Sequence, residues 1–289
     1  MDILVVGHEG MLGQEMARAA RDAGHRVTGV DLPDIDITKE ESIQARIAAT
    51  RPQAVINCAA FTAVDACETD NKRAFAVNAR GAGLLAAAAE ECGAAFVHFS
   101  TDYVFDGRKK SPYVESDPAN PASVYGRSKR EGELLVRKNC GRSFVLRIAW
   151  LYGTGGSNFV KTIRALANKN AAAGSPLRVV NDQTGSPTYT ADVCRQTFGM
   201  LGTEHFGLYH CTSEGACSWY DFASEIVRAA AIPVTVLPCT TAEFPRPAPR
   251  PANSVLENSG LKKLGLNLMP HWKDGFAAFL RDEQRNGPR

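Results

Sequence analysis

The first thirteen residues constrain this chain more than any other stretch. Ile3-Leu4-Val5-Val6 is an unbroken apolar run, the composition of a strand covered on both faces in a parallel sheet. It leads into Gly7-His8-Glu9-Gly10-Met11-Leu12-Gly13, and a helix is expected from about Met11 to Ala23. Strand, glycine turn and helix N-terminus in that order form a pyrophosphate site. Glycines let the backbone approach the anion, and the free N–H groups of the first helical turn face it. Gly7, Gly10 and Gly13 are the candidate residues of that turn.

Arg26 to Asp31 reads as the second strand, ending on a carboxylate. Asp31 can accept hydrogen bonds from the adenosine ribose and would repel a 2′-phosphate, which tilts the choice towards NADH. Thr38 is expected to cap a helix over residues 40 to 49. Residues 54 to 60 form another buried strand, and its small residues would let a dinucleotide lie across the carboxyl edge of the sheet. One long helix is expected from Ala66 to Cys92. It contains Asn78, either a surface residue or a support for backbone near the nicotinamide.

Ala95 to Ser100 is a strand that delivers Thr101-Asp102-Tyr103 to its carboxyl end. Ser123 to Val136 has the composition of a helix, on which Tyr125 and Lys129, four apart, share a face. A cation beside a phenol stabilises phenolate and draws the tyrosine pKa from about 10 towards neutrality, making Tyr125 a proton donor and acceptor. A hydroxyl from Ser100 or Thr101 can donate to a substrate carbonyl beside it. Beyond the strand Ser143 to Ile148, Trp150 offers a flat apolar wall, for a ligand ring or for the core.

Size and charge limit the alternatives. A chain of 289 residues buries a sizeable core, and a formal charge of +2 with scattered Lys and Arg gives no reason to expect a nucleic-acid or membrane partner. The eight cysteines include no Cys-x-x-Cys pair and no zinc spacing, so free thiols in a reducing compartment are expected. The sequence opens on strand residues without a basic leader, and a cytoplasmic location is expected.

The glycine turn, Asn57 to Asp65, Ser100 to Gly107, Tyr125 to Lys129, Arg147 to Trp150, Asp182 to Thr188 and Arg250 to Ser254 together resemble the dTDP-4-dehydrorhamnose reductases, a family of extended short-chain dehydrogenases/reductases. The resemblance runs nearly end to end. It implies a Rossmann-type doubly wound parallel sheet with a smaller α/β substrate-binding domain. Residues 1–150 with about 185–212 would form the dinucleotide-binding part, and about 151–184 with 213–289 the substrate part. The implied reaction is NADPH- or NADH-dependent reduction of the C4 ketone of dTDP-4-dehydro-L-rhamnose to dTDP-L-rhamnose, the last step of dTDP-rhamnose biosynthesis. The alternatives are a reductase of another nucleotide-linked 4-keto-deoxysugar, or a non-catalytic NADP-binding regulatory subunit.

Carried over by position, the resemblance implies that Gly10, Met11 and Leu12 line the pyrophosphate, Asp31, Asp36 and Ile37 the adenosine, and Ala60, Phe61 and Thr62 the rest of the cofactor. Lys129 would hold the nicotinamide ribose, and Thr101 is selected over Ser100 as carbonyl donor, with Asp102 beside it. Val64 and Trp150 would contact the deoxysugar, and Gln183 and Arg250 the nucleotide end of the substrate. Some relatives dimerise around magnesium held by acidic residues, one corresponding to Glu15. Where another is expected this chain has Ala191 followed by Asp192, so a monomer or a metal-independent dimer is expected.

Overall fold

The computed structural model describes residues 1–286. The chain runs β1 (Asp2–Val6), α1 (Met11–Asp22), β2 (Arg26–Val30), α2 (Glu40–Thr50), β3 (Ala54–Asn57), α3 (Val64–Thr69), α4 (Asn71–Phe75) and, after a π-helical turn at Ala76–Gly81, α5 (Ala82–Glu91). It continues through β4 (Ala95–Thr101), α6 (Val124–Asn139), β5 (Ser143–Ile148), β6 (Leu151–Tyr152), α7 (Phe159–Ala172), β7 (Leu177–Val180), β8 (Thr184–Gly185) and β9 (Thr188–Tyr189). The rest is α8 (Thr190–Leu201), β10 (Gly207–His210), β11 (Cys217–Ser218), α9 (Trp219–Ala229), β12 (Val236–Cys239), α10 (Ser259–Lys263) and α11 (Trp272–Asn286).

Six strands form one parallel sheet in the order β10-β5-β4-β3-β1-β2. Successive residues of a strand feed opposite faces. Ile3, Val5, Ile56, Val97 and Leu146 pack against Leu12 and Met16 of α1 and Val193 of α8. Leu4, Val6, Val55, Phe96 and Val145 pack against Ile43 of α2, Leu85 of α5 and Val136 of α6. This is the doubly wound arrangement expected. The strand order reverses between β1 and β3, and a crevice opens there at the carboxyl edge.

A third core lies outside the sheet, built from Tyr152, Val160, Tyr189, Phe222, Trp272 and Phe279 among others. Two-stranded pairings, β7 with β12, β8 with β11 and β6 with β9, frame it.

Several sequence expectations change. The long helix over 66 to 92 is three short helices and a π-turn, because Asn78 turns inward to bond the backbone of Phe61. β2 stops at Val30, leaving Asp31 in the following loop, and β3 stops at Asn57. Thr38 does not cap α2: Lys39 is the N-cap without a side-chain bond, and the Thr38 hydroxyl donates to Asp36 Oδ1 at 2.7 Å.

Candidate active site

The glycine turn lies where the crevice opens. Gly7 has φ +78°, and a Cβ there would meet Ala59 N at 2.5 Å; at Gly13 it would meet Gly7 O at 2.0 Å. Only glycine admits this contact between the turn, α1 and the end of β3. A cleft of about 280 Å³ follows, lined by residues that include Gly7, Gly10, Asp31, Asp36, Ile37, Ala60 and Phe61. Asp31 is fixed by accepting the backbone N–H groups of Glu9 and Leu32, at 3.2 and 3.0 Å. Asp36 is held below its ordinary carboxylate range by the Thr38 hydroxyl and N–H. The cleft fits a dinucleotide: a close-approach backbone at one end and fixed carboxylates at the ribose end.

Phe61 is positioned by Asn78, which accepts its N–H at 2.8 Å and donates to its C=O at 3.1 Å. The second Nδ2 hydrogen of Asn78 reaches Ser128 Oγ at 3.0 Å, tying the cleft wall to α6. Of the two meanings the sequence allowed Asn78, backbone support is the one observed.

Tyr125 and Lys129 share one face of α6, whose N-terminus is capped by Ser123 Oγ accepting the Gly126 N–H. The Thr101 hydroxyl, at the end of β4, lies beside the Tyr125 phenol and donates to Asp102 Oδ1 at 2.9 Å. Ser100 is committed elsewhere, donating to Glu133 Oε1 at 2.6 Å. Asp102 is buried, its Oδ2 has no hydrogen-bond partner among the described residues, and burial pushes its carboxyl up to about 6.

The expected lowering of the Tyr125 pKa by Lys129 is not found in the structure. Burial raises the Tyr125 phenol above its ordinary value, with only the Thr101 hydroxyl pulling it back. Lys129 is not among the groups that shift the phenol; its Nζ donates to Phe99 O at 2.5 Å and lies 3.4 Å from His98 Nε2. Burial lowers Lys129 itself to about 8, against the opposing charge of Glu133. A protonated, buried phenol is the state a proton donor needs, and a lysine near 8 exchanges protons in the working range.

A second cavity, of about 440 Å³, opens beyond Tyr103 and Asp65, and Gln183, Trp219, Arg178, Arg246 and Arg250 are among its walls. Arg250 pairs with Asp65 at 2.9 Å, and Gln183 Nε2 donates to Thr241 Oγ1 at 2.9 Å. The sequence reading singled out Trp150; it is Trp219 that lines the cavity, with Trp150 stacked on it at 3.3 Å between ring centroids. Val64 opens α3, two residues after Thr62, and Met11 and Leu12 open α1. Sequence reasoning missed His98, Trp219, Arg178, Arg246 and the Glu133–Arg147 pair. Trp219 had a local signal, an aromatic directly after the helix cap Ser218; the others had none, since their partners are remote in sequence.

Glu15, the residue implied to bind magnesium, is buried and ion-paired with Arg18, while Asp192 pairs with Arg195 at 2.8 Å. With Ala191 supplying no donor, these residues do not fit a shared metal.

A Rossmann-type sheet with its glycine turn at the strand-order reversal, and a Tyr-x-x-x-Lys helix beside it, defines an extended short-chain dehydrogenase/reductase. Comparison with known proteins narrows this. The chain belongs to the family described as RmlD substrate binding domain, which matches residues 1–285. It is 39% identical to the dTDP-4-dehydrorhamnose reductase of Burkholderia thailandensis over 98% of this chain and 99% of that one. A crystal structure of a dTDP-4-dehydrorhamnose reductase from Clostridium acetobutylicum superposes with a TM-score of 0.94 at 43% identity, covering 98% of this chain and 100% of that one. One from Bacillus anthracis, in complex with NADP, gives 0.92 at 35% identity over 97% and 98%.

Proposed function

We infer that this chain is an NAD(P)H-dependent oxidoreductase that reduces the C4 ketone of dTDP-4-dehydro-L-rhamnose to dTDP-L-rhamnose. The observation that carries the reading is the Thr101 hydroxyl beside the Tyr125 phenol, with Lys129 one turn along, at the carboxyl edge beside the dinucleotide cleft. The nicotinamide cofactor, when bound, supplies the hydride.

The chain's own groups do the rest. Gly7, Gly10, Met11, Leu12 and Gly13 hold the pyrophosphate, Asp31, Asp36 and Ile37 the adenosine, and Ala60, Phe61 and Thr62 the intervening length, with Phe61 held by Asn78. Thr101 Oγ donates to the substrate carbonyl oxygen, and Tyr125 gives that oxygen its proton as charge develops. Lys129 bonds the nicotinamide ribose and carries the exchangeable proton. Asp102, Val64 and Trp150, stacked on Trp219, bound the sugar. Gln183 and Arg250 face the nucleotide end in the second cavity, where Arg246 adds positive charge suited to a diphosphate while Arg178 is paired with Glu243.

Residues 1–150 with about 185–212 would constitute the dinucleotide-binding part, and about 151–184 with 213–289 the substrate part. Tyr152, Val160, Phe222 and Phe279 of the third core accord with this division, whereas Tyr189 in that core and Leu261 and Met269 in the sheet core cross it. A monomer or a dimer without bridging metal accords with the Arg18 and Arg195 pairs of Glu15 and Asp192. None of the helices in the described residues is long and apolar enough to cross a membrane. The eight free cysteines support a cytoplasmic, reducing location.

The test is oxidation of NADH and NADPH, followed by absorbance, with dTDP-4-dehydrorhamnose generated in situ and the product identified by NMR. Turnover to dTDP-L-rhamnose is expected. Cofactor binding without turnover on this substrate, but with turnover on another 4-keto-deoxysugar, would replace the assignment.

A further inference from the structure

Behind Lys129 runs a buried chain of polar groups that the reaction above does not use. Asn57 on β3 and His98 on β4 are register partners in the ladder, so both side chains project to the α6 face, and each is 1% exposed. Asn57 Oδ1 accepts the backbone N–H of Ala59 at 3.1 Å. Only the amide oxygen can do that, so the atom facing His98 Nδ1 at 3.2 Å is the Nδ2 donor. His98 Nδ1 must therefore accept, and the single proton of the neutral ring sits on Nε2. Nε2 lies 3.4 Å from Lys129 Nζ. A fixed N–H aimed at that nitrogen is satisfied by an amine lone pair and opposed by an ammonium.

We propose that His98 is a positioning residue for the reaction: its Nε2–H tautomer, locked through Asn57 by the Ala59 N–H, opposes charge on Lys129. The lysine is thereby a proton exchanger and not a fixed cation. The inference rests on the role given to Lys129 above. The other tautomer would require Asn57 to turn and release the Ala59 N–H, and Ala59 lines the dinucleotide cleft. The charge on Lys129 is thus linked to the shape of that cleft wall.

The other groups around Lys129 are assigned. Glu133, one turn on, favours the ammonium, but its carboxylate is shared among Arg147, Arg130 and Ser100. Cys58, beyond β3, and Tyr125, one turn back, are both pushed up by burial and stay neutral. Burial and the neighbouring Lys129 also hold His98 well below its ordinary value, so it remains an uncharged ring.

The experiment is NMR of the full chain labelled with 15N-histidine, read beside kcat-against-pH profiles. The wild-type protein should show His98 as the Nε2–H tautomer. Asn57→Asp should convert it to Nδ1–H, because a carboxylate accepts both the Ala59 N–H and a ring N–H. In charge-neutral His98→Gln, whose amide oxygen can face Nζ, the basic limb of the profile should move up by about one pH unit, a tenfold change in the proton equilibrium. A wild-type Nδ1–H tautomer, or a basic limb unmoved in both variants, overturns the proposal. Full turnover in Lys129→Met would instead remove the site reading beneath it, and the tautomer, read without turnover, tells the two failures apart.

Discussion

Glu133 on α6 and Arg147 on β5 meet as a buried bidentate pair, Nε to Oε1 at 2.7 Å and Nη2 to Oε2 at 2.8 Å. Burial alone would raise the Glu133 carboxyl, yet Arg147, Ser100 and Arg130 together hold it below its ordinary value. The pair fixes the helix carrying Tyr125 and Lys129 against the strand next to Thr101, since Arg147 is the neighbour of Ser100 in the ladder.

Removing one partner strands the other charge. Glu133→Ala should cost roughly 3–5 kcal/mol in urea unfolding. Glu133→Leu combined with Arg147→Met should recover most of it. A loss below about 1 kcal/mol in the single variant, the worth of an exposed pair, would contradict a buried one.

Tyr125→Phe removes the proton donor and leaves the cleft walls in place. We expect kcat to fall by about 10²–10⁴-fold, with the dissociation constant for NADPH nearly unchanged. Equal losses in turnover and cofactor affinity would point to a structural role for the phenol.

Asp31→Ala should shift the preference between the two cofactors towards NADPH by about tenfold, the worth of one charge-assisted hydrogen bond of ~1.5 kcal/mol. The ratio of kcat/KM for NADPH and NADH measures it. An unaltered ratio would confine Asp31 to its bonds with the Glu9 and Leu32 backbone.

Gly185→Ala tests the tryptophan stack. A Cβ at Gly185 would lie 2.3 Å from Trp150 Cε2, so the indole must leave Trp219 or the backbone must move. The variant should lose about 1–3 kcal/mol of stability. It should also raise the substrate KM more than the cofactor KM, with altered tryptophan fluorescence. Equal KM values for wild type and variant would remove the stack from the substrate site.

His210 gives the protein an acid-sensitive element. Its Nδ1 is 3.0 Å from Glu257 O and its Nε2 3.4 Å from Arg147 Nη1, so the neutral ring donates to the carbonyl and accepts from the guanidinium. Burial, with the Arg147 charge, lowers its pKa from 6.5 to about 4 against the pull of Glu115. Between those values the unfolded state binds a proton that the folded state refuses. The contribution to stability is complete above pH 6.5 and is lost as the pH falls towards 4. In His210→Asn the fall in unfolding free energy between pH 7 and 4.5 should be shallower than in wild type; parallel curves would contradict the assignment.

Local patterns made much of this legible. Ile3 to Val6 and the following glycines declared a parallel strand and an anion turn because their backbone requirements are local. Tyr125 and Lys129 were placed on one face by helical spacing alone. Asn78 could not be assigned from the chain because its partner, Phe61, is seventeen residues away and the helix it interrupts looks continuous by composition.

Sequence by itself determined the sheet, the glycine turn and the residue types at the candidate site, since strand and helix periodicity and φ-permissive glycines act within a few residues. Tertiary structure alone decided what those residues face. It turned Lys129 towards Phe99 and His98, gave Ser100 to Glu133, and put Trp219 at the cavity with Trp150 stacked upon it. Burial and hydrogen-bond satisfaction depend on elements brought together from far along the chain, and those contacts set the charge of each group.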